Sequence, residues 1–274
     1  MIKENINSIN KMIKGTVTEK LLQKCLDWLS DFVFSYSDPD PAIQENYDIK
    51  RIHTYKVREE IKFLGKELGL KNDALRLAEI IGLFHDLGRF EQYARYKTFK
   101  DNLSEDHAAL GVKIINDAGL LASFQELPAS IIRNAILFHN RLSIPEGEKD
   151  PYLFYEKLIR DADKLDIWRV VLKYYYRGND KINKEIEWTS TQSTAISKKV
   201  LEDIHNKRSV LTKHVQNLND FKLLQMAWVF DLNFEISMEE VKKRKYLEKM
   251  RDTLAQSAEI DKVYNILISH SIGD

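Results

Sequence analysis

Six residues of the types that bind metal ions are distributed over the first two thirds of the chain. They are four histidines and two aspartates: His53, His85, Asp86, His107, His139 and Asp163. The histidines and the second aspartate share helical faces with apolar residues, as Ile49 and Val57 lie four positions on either side of His53. We therefore expect these side chains to point into the protein interior.

Such a set is typical of a metal site. A single inward histidine is usually a core residue with one hydrogen bond, but five inward polar groups on five helices are harder to explain by packing. A buried carboxylate must be paired, bound to a metal or neutral. Four imidazoles and two carboxylates suit two divalent ions, which can lie about 3.5–4 Å apart and share a bridging carboxylate. The single cysteine, Cys25, excludes a Cys-based zinc site.

The elements that position this set are predicted to be helices, which gives an all-α fold class. The chain has 10 glycines and 5 prolines among 274 residues, which favours long helices over many turns. No alternating strand pattern of useful length occurs. Asp40 and Ser104 are expected to cap helices. Helices are predicted at about 18–36, 48–68, 73–88, 105–118, 128–140, 152–170, 193–230 and 237–270.

Composition excludes several classes of protein. The 42 basic and 42 acidic residues balance to a net charge of zero, so a nucleic-acid partner is not expected. A hydrophobic fraction of 43% is too high for a disordered chain. The sequence contains no run of 18 apolar residues and no recognisable signal peptide. We therefore expect a cytoplasmic protein without a membrane partner; the oligomeric state is left open.

The order His, His-Asp, His, His, Asp resembles that of the HD-domain superfamily of metal-dependent phosphohydrolases. GLFHDLGRFEQ resembles that family's His-Asp helix end, and SEDHAALGVKII resembles its next metal-binding helix. IRDADKLDIW resembles its terminal element, which places the last metal ligand on Asp163. We expect one globular HD-type domain over residues 1–274. Its metal-binding core would span about 45–170, with helix 18–36 and C-terminal helices at 180–270 packed on it.

The full six-residue set resembles the dinuclear branch of that superfamily. The resemblance implies a phosphohydrolase that uses metal-activated water and acts as a phosphomonoesterase, nucleotidase or phosphodiesterase. The substrate would be a small phosphorylated molecule, with a nucleotide as one candidate. Two alternatives remain open: a di-iron oxygenase similar to myo-inositol oxygenase, and an HD module that has lost catalysis. Nitrogen-rich ligation disfavours magnesium alone and allows two ions of manganese, iron, cobalt, nickel or zinc.

Roles can be assigned within the hydrolytic hypothesis. Asp86 is expected to bridge the two ions, with His53, His85 and Asp163 on one ion and His107 and His139 on the other. Arg89 lies four residues after His85 and is the leading candidate for a catalytic phosphate contact. Lys164 and Arg141 are weaker candidates for binding substrate. Asp161 and Asp166 flank the last ligand and could orient imidazoles.

Overall fold

The computed structural model of the protein describes residues 2–177, 183–187 and 195–272. Within these ranges all regular secondary structure is helical and no β-strand occurs, so the predicted all-α fold class is confirmed. The chain forms two compact units, Met1–Asp166 and Ile167–Asp274. The single domain expected over the whole chain stays a prediction. In the described part of the chain, no helix combines the length and apolar character needed to span a membrane.

The first unit consists of seven complete helices and the beginning of an eighth. Two of the starts follow from their N-cap residues, because the side chains of Thr18 and Asp40 accept hydrogen bonds from backbone N–H groups of the first turn. The helices are α1 Ile2–Ile13, α2 Glu19–Ser35, α3 Pro41–Glu67, α4 Asn72–Phe84, α5 Leu87–Tyr96, α6 His107–Asp117, α7 Glu126–Phe138 and α8 Tyr152–Tyr175.

Helix α4 lies at the centre of this unit, where it packs against α1, α2, α3 and α7. Ile80, Ile81, Leu83 and Phe84 are all fully buried, as expected for the apolar C-terminal end of this helix. The buried helix delivers His85, its C-cap residue, into the interior.

Two predicted details of this region are wrong. The helix predicted at 73–88 ends at Phe84, because the backbone of Asp86 (φ −109°, ψ 17°) leaves the helical region, and α5 starts at Leu87. The cap of α6 is Asp106 rather than Ser104, because the Asp106 carboxylate accepts hydrogen bonds from the first backbone N–H groups of α6.

The second unit contains shorter helices than the sequence predicted. Asn217 caps a new helix within the segment predicted at 193–230, and the left-handed backbone of Lys245 (φ 54°) interrupts the one predicted at 237–270. Residues 180–182 and 188–194 of the predicted C-terminal helical region lie outside the described residues. The helices are α9 Lys198–His205, α10 Leu218–Ala227, α11 Glu235–Lys243, α12 Tyr246–Asp252 and α13 Ala258–Ile272.

The backbones of α5 and α6 lie very close together at Gly88. A Cβ atom on Gly88 would overlap the carbonyl oxygen of His107 and lie 2.8 Å from the backbone nitrogen of Gly111. Only glycine fits at this position without moving α6. Gly88 therefore sets the distance between Asp86, at the start of α5, and His107, at the start of α6.

Replacing Gly88 by alanine is expected to lower the free energy of unfolding by about 3 kcal/mol, because the added methyl group overpacks two backbones. Gly111→Ala is the matched control, since its new Cβ would meet its nearest neighbour at 3.3 Å. Urea denaturation of both variants measures the difference. Equal stability of the two variants would contradict the close contact.

Candidate metal centre

The six candidate ligands meet inside the first unit, mostly at helix ends. His85 and Asp86 occupy the junction of α4 and α5, His107 is the first residue of α6, and His139 follows α7. Only His53, in α3, and Asp163, in α8, come from helix interiors. The four histidines and Asp86 are buried, and the Asp163 side chain is 17% exposed.

The ligands form two groups of three. The first, which we call the His53 group, comprises His53, His85 and Asp163. In it, Nε2 of His53 lies 3.0 Å from Oδ1 of Asp163 and 3.3 Å from Nε2 of His85. Oδ1 of Asp163 is 3.6 Å from the His85 nitrogen. These three atoms are close enough to surround one ion.

The second group, which we call the His107 group, comprises Asp86, His107 and His139. Nε2 of His107 lies 3.2 Å from Nε2 of His139. Oδ1 of Asp86 lies 3.4 Å from the first nitrogen and 3.7 Å from the second. This group also offers one carboxylate oxygen and two imidazole nitrogens.

Asp86 connects the two groups, because its two oxygens face different histidines. Oδ2 lies 3.6 Å from Nε2 of His53 and 3.7 Å from Nε2 of His85. Oδ1 instead faces His107 and His139. A carboxylate in this position can bridge two ions.

Backbone carbonyl groups orient two of the imidazoles. Nδ1 of His85 lies 2.9 Å from the carbonyl oxygen of Gly82, and Nδ1 of His139 lies 2.6 Å from that of Ile136. A carbonyl oxygen only accepts hydrogen bonds, so we assign the ring hydrogen to Nδ1 in both histidines. Their Nε2 atoms are left for a ligand.

Carboxylates orient the other two imidazoles. Nδ1 of His53 donates to Asp166 at 2.7 Å, and Nδ1 of His107 donates to Asp101 at 2.8 Å. The structure thus places Asp166 where the sequence suggested, against a candidate ligand. It places Asp161 in the interior.

The donor set of the His107 group fits a cation. Burial, together with the charge of Arg89, lowers the pKa of His107 to about 4, so this ring is neutral near pH 7. With its ring hydrogen on Nδ1, the Nε2 lone pair of His107 faces a carboxylate oxygen of Asp86 and Nε2 of His139. A divalent ion among these atoms would accept electron pairs from nitrogen and carboxylate oxygen, so this donor set fits a metal ion.

The His53 group holds a proton in the metal-free protein. Burial alone would lower the pKa of His53, but hydrogen bonds to Asp163 and Asp166 raise it to about 9. Burial likewise acts to raise the pKa of Asp163, but the bond to His53 holds it well below the usual range. His53 is therefore an imidazolium near pH 7, and a metal ion must displace its Nε2 proton.

Sequence reasoning missed two residues of the site. Nζ of Lys50 lies 2.7 Å from Oδ2 of Asp86, and its charge overcomes the effect of burial to hold the Asp86 pKa well below its usual value. Lys50 precedes His53 by three residues, and this helical spacing could have identified it. Asp101 lies in a short 3-10 helix six residues before His107, and no periodicity signals its contact.

The predicted phosphate-binding residues lie in different surroundings. Nη1 of Arg89 donates to Gln92, to the carbonyl group of Phe99 and to Asp101, while its Nε lies 3.7 Å from Asp86. Lys164 is mostly buried, and its Nζ donates to the carbonyl oxygen of Arg160. Arg141 is 46% exposed and pairs with Asp106 at 2.6 Å. Arg89 thus lies in contact with a candidate ligand.

Residues 51–168 match the family model described as the HD domain. All six candidate ligands fall within this segment. This segment matches the HD domain, which confirms the resemblance found in the sequence. HD domains bind divalent metals and are generally those of metal-dependent hydrolases. No curated protein and no solved structure matches the chain.

The apparent affinity for a divalent ion is expected to increase between pH 7 and pH 9, because His53, with a pKa of about 9, must release its proton. Release of one proton corresponds to about a tenfold increase in the apparent metal affinity for each pH unit below that pKa. Competition with a chelator of known affinity at pH 7 and pH 8 measures this change. Equal affinity at both pH values would show that no proton is displaced.

Proposed function

We propose that this protein is a metal-dependent phosphohydrolase with a dinuclear centre. The observation that carries the proposal is the position of Asp86, whose two carboxylate oxygens face separate groups of histidines. One shared carboxylate between two nitrogen-rich groups is an arrangement suited to two adjacent ions. The HD domain supports a hydrolase in general, and the phosphate ester is the proposed substrate class.

His53, His85 and Asp163 would hold one ion, His107 and His139 the other, and Asp86 both. Manganese, iron, cobalt, nickel and zinc all accept such ligands. Ions bound there would supply positive charge that activates water near neutral pH and neutralises phosphoryl oxygens.

Two carboxylates of the protein would orient the candidate ligands for metal binding. Asp166 and Asp101 hold His53 and His107 in the required ring orientation. The proposed substrate is a small phosphorylated molecule, with a nucleotide as one candidate. Arg89 is our proposed phosphate contact from the α5 side. Lys164 and Arg141 are weaker proposals, because Lys164 donates to a backbone carbonyl group of its own helix and Arg141 is paired with Asp106.

Reconstitution of the metal-free protein tests the proposed function. Protein loaded with manganese, iron, cobalt, nickel or zinc is assayed for bound metal and for phosphate release from a monoester, a diester and nucleotides. We expect two ions per chain and phosphate release with at least one of these metals. Absence of phosphate release with every metal would contradict the proposal, and oxygen uptake by the iron form without phosphate release would instead indicate an oxygenase.

His85→Ala and Asp86→Ala are each expected to abolish metal-dependent hydrolysis, because each removes a ligand that helps to retain an ion. The control is His205→Ala, since the contact found for this exposed histidine of α9 among the described residues is with a backbone carbonyl group of its own helix. Elemental analysis and steady-state kinetics are measured on all three variants. Full metal content together with full turnover in either ligand variant would refute the assignment.

Arg89→Ala is expected to lower kcat/KM by roughly tenfold to a hundredfold while metal content stays unchanged, because a charge-assisted hydrogen bond to phosphate is lost. Arg89→Lys should recover part of the loss, since charge remains without the bidentate geometry. Arg95→Ala on the same helix is the control, because Arg95 pairs with Glu91 at the surface. A parallel loss of metal in Arg89→Ala would show that Arg89 acts by holding Asp101 and His107.

A further inference from the structure

A lysine that belongs to none of the predicted sets lies at the metal centre. Lys50 precedes His53 by three residues in α3, so both side chains project from the same helix face. Its Nζ lies 2.7 Å from Oδ2 of Asp86, the oxygen that faces His53 and His85. The side chain is 17% exposed, so it remains accessible from outside.

The ammonium group of Lys50 can donate more hydrogen bonds than the one to Asp86. It carries three N–H groups, and Asp86 is the one hydrogen-bond acceptor found for them among the residues that the structure describes. The remaining close neighbour is the ring of Phe99, whose centroid lies 5.4 Å from Nζ. An aromatic face holds an ammonium group in place but satisfies none of its N–H groups by a strong hydrogen bond.

Metal binding alone does not account for this lysine. A positive charge 2.7 Å from a carboxylate repels any cation that the carboxylate also binds. Lys50 therefore weakens the hold of Asp86 on a metal ion. A further anion that joins the centre once metal is present would offset this repulsion.

Lys50 is better placed for such an anion than the cations predicted from the sequence. Nη1 of Arg89 is engaged by three acceptors, and Arg141 pairs with Asp106 near the surface. Nζ of Lys164 donates to a backbone carbonyl group of its own helix. Lys50, by contrast, combines direct contact with the shared carboxylate and two N–H groups without an observed acceptor.

We propose that Lys50 binds a phosphoryl oxygen of the substrate next to Asp86. This inference rests on the proposed function, because it assumes that the metal-loaded centre accepts a phosphate ester. Lys50 then supplies a charge-assisted hydrogen bond to the phosphoryl group from the α3 side, while Arg89 approaches from the α5 side.

Two affinities measured on the full chain test the proposal: that of the metal-free protein for Mn²⁺, and that of the Mn²⁺-loaded protein for inorganic phosphate. In Lys50→Met, phosphate affinity should fall by about ten- to a hundredfold, because a charged hydrogen bond is lost. Mn²⁺ affinity should stay equal or increase, because a repelling charge is removed. Lys50→Arg should recover part of the phosphate affinity. The control is Lys56→Met, since Lys56 lies on the same helix and pairs with Glu59 at 2.7 Å.

The phosphate affinity and the Mn²⁺ affinity of Lys50→Met answer different questions, because a phosphate contact changes the first and a residue that positions Asp86 lowers the second. Unchanged phosphate affinity in Lys50→Met would overturn the proposal, and so would a loss of Mn²⁺ affinity, which would assign Lys50 to positioning Asp86. If Lys50→Met does not fold, Lys50→Gln gives the same comparison with a neutral polar side chain. Wild-type protein that binds Mn²⁺ but no phosphate would instead contradict the proposed function. The proposed phosphate contact of Lys50 would then be contradicted as well.

Discussion

A buried carboxylate surrounded by imidazole nitrogens is the constraint on which the first unit depends. Oxygen atoms of Asp86 lie within 3.4–3.7 Å of Nε2 of all four histidines, and all four rings turn Nδ1 towards another acceptor. Acceptors gathered in the interior need a cation or a proton among them. In the His53 group a proton serves this purpose, whereas in the His107 group the low pKa of His107 leaves its Nε2 without a proton near pH 7.

The packing of the helices brings these polar groups together. The apolar helix α4 is buried among its neighbours and ends where the site begins, so its C-cap residue enters the interior without exposing the helix. The break at Asp86 starts α5 in a new direction, and the absence of a side chain on Gly88 lets α6 approach α5 closely. Helix ends thus contribute most of the ligands, and only α3 and α8 contribute from their interiors.

The positive charges near Asp86 have two opposite effects on the binding of a metal ion. Lys50 and Arg89 both lie near this carboxylate and keep it ionised despite its burial, which is the form that binds a metal. The same cations disfavour a second positive charge close by. Under the proposed function, a phosphoryl group that joins the metal would offset this repulsion.

The sequence by itself predicted the set of candidate ligands and determined the helical class. Histidine and aspartate on apolar helical faces predicted five inward groups, with Asp86 directly after one of them, because periodicity reports which way a side chain projects from its own helix. The four histidines and two aspartates do come together, and the resemblance of their contexts to the HD domain is confirmed. Periodicity could not place the break at Asp86, because a non-helical backbone at one residue leaves the spacing of its neighbours nearly unchanged.

Contacts between elements were decided by the tertiary structure alone. Asp166 meets His53 across 113 residues of sequence, and Lys50 meets Asp86 across 36. Asp101 reaches His107 from a short 3-10 helix that carries no periodic signal. Which side chains meet depends on the angles and distances at which whole helices pack, and these follow from the summed contacts of the core rather than from any local pattern.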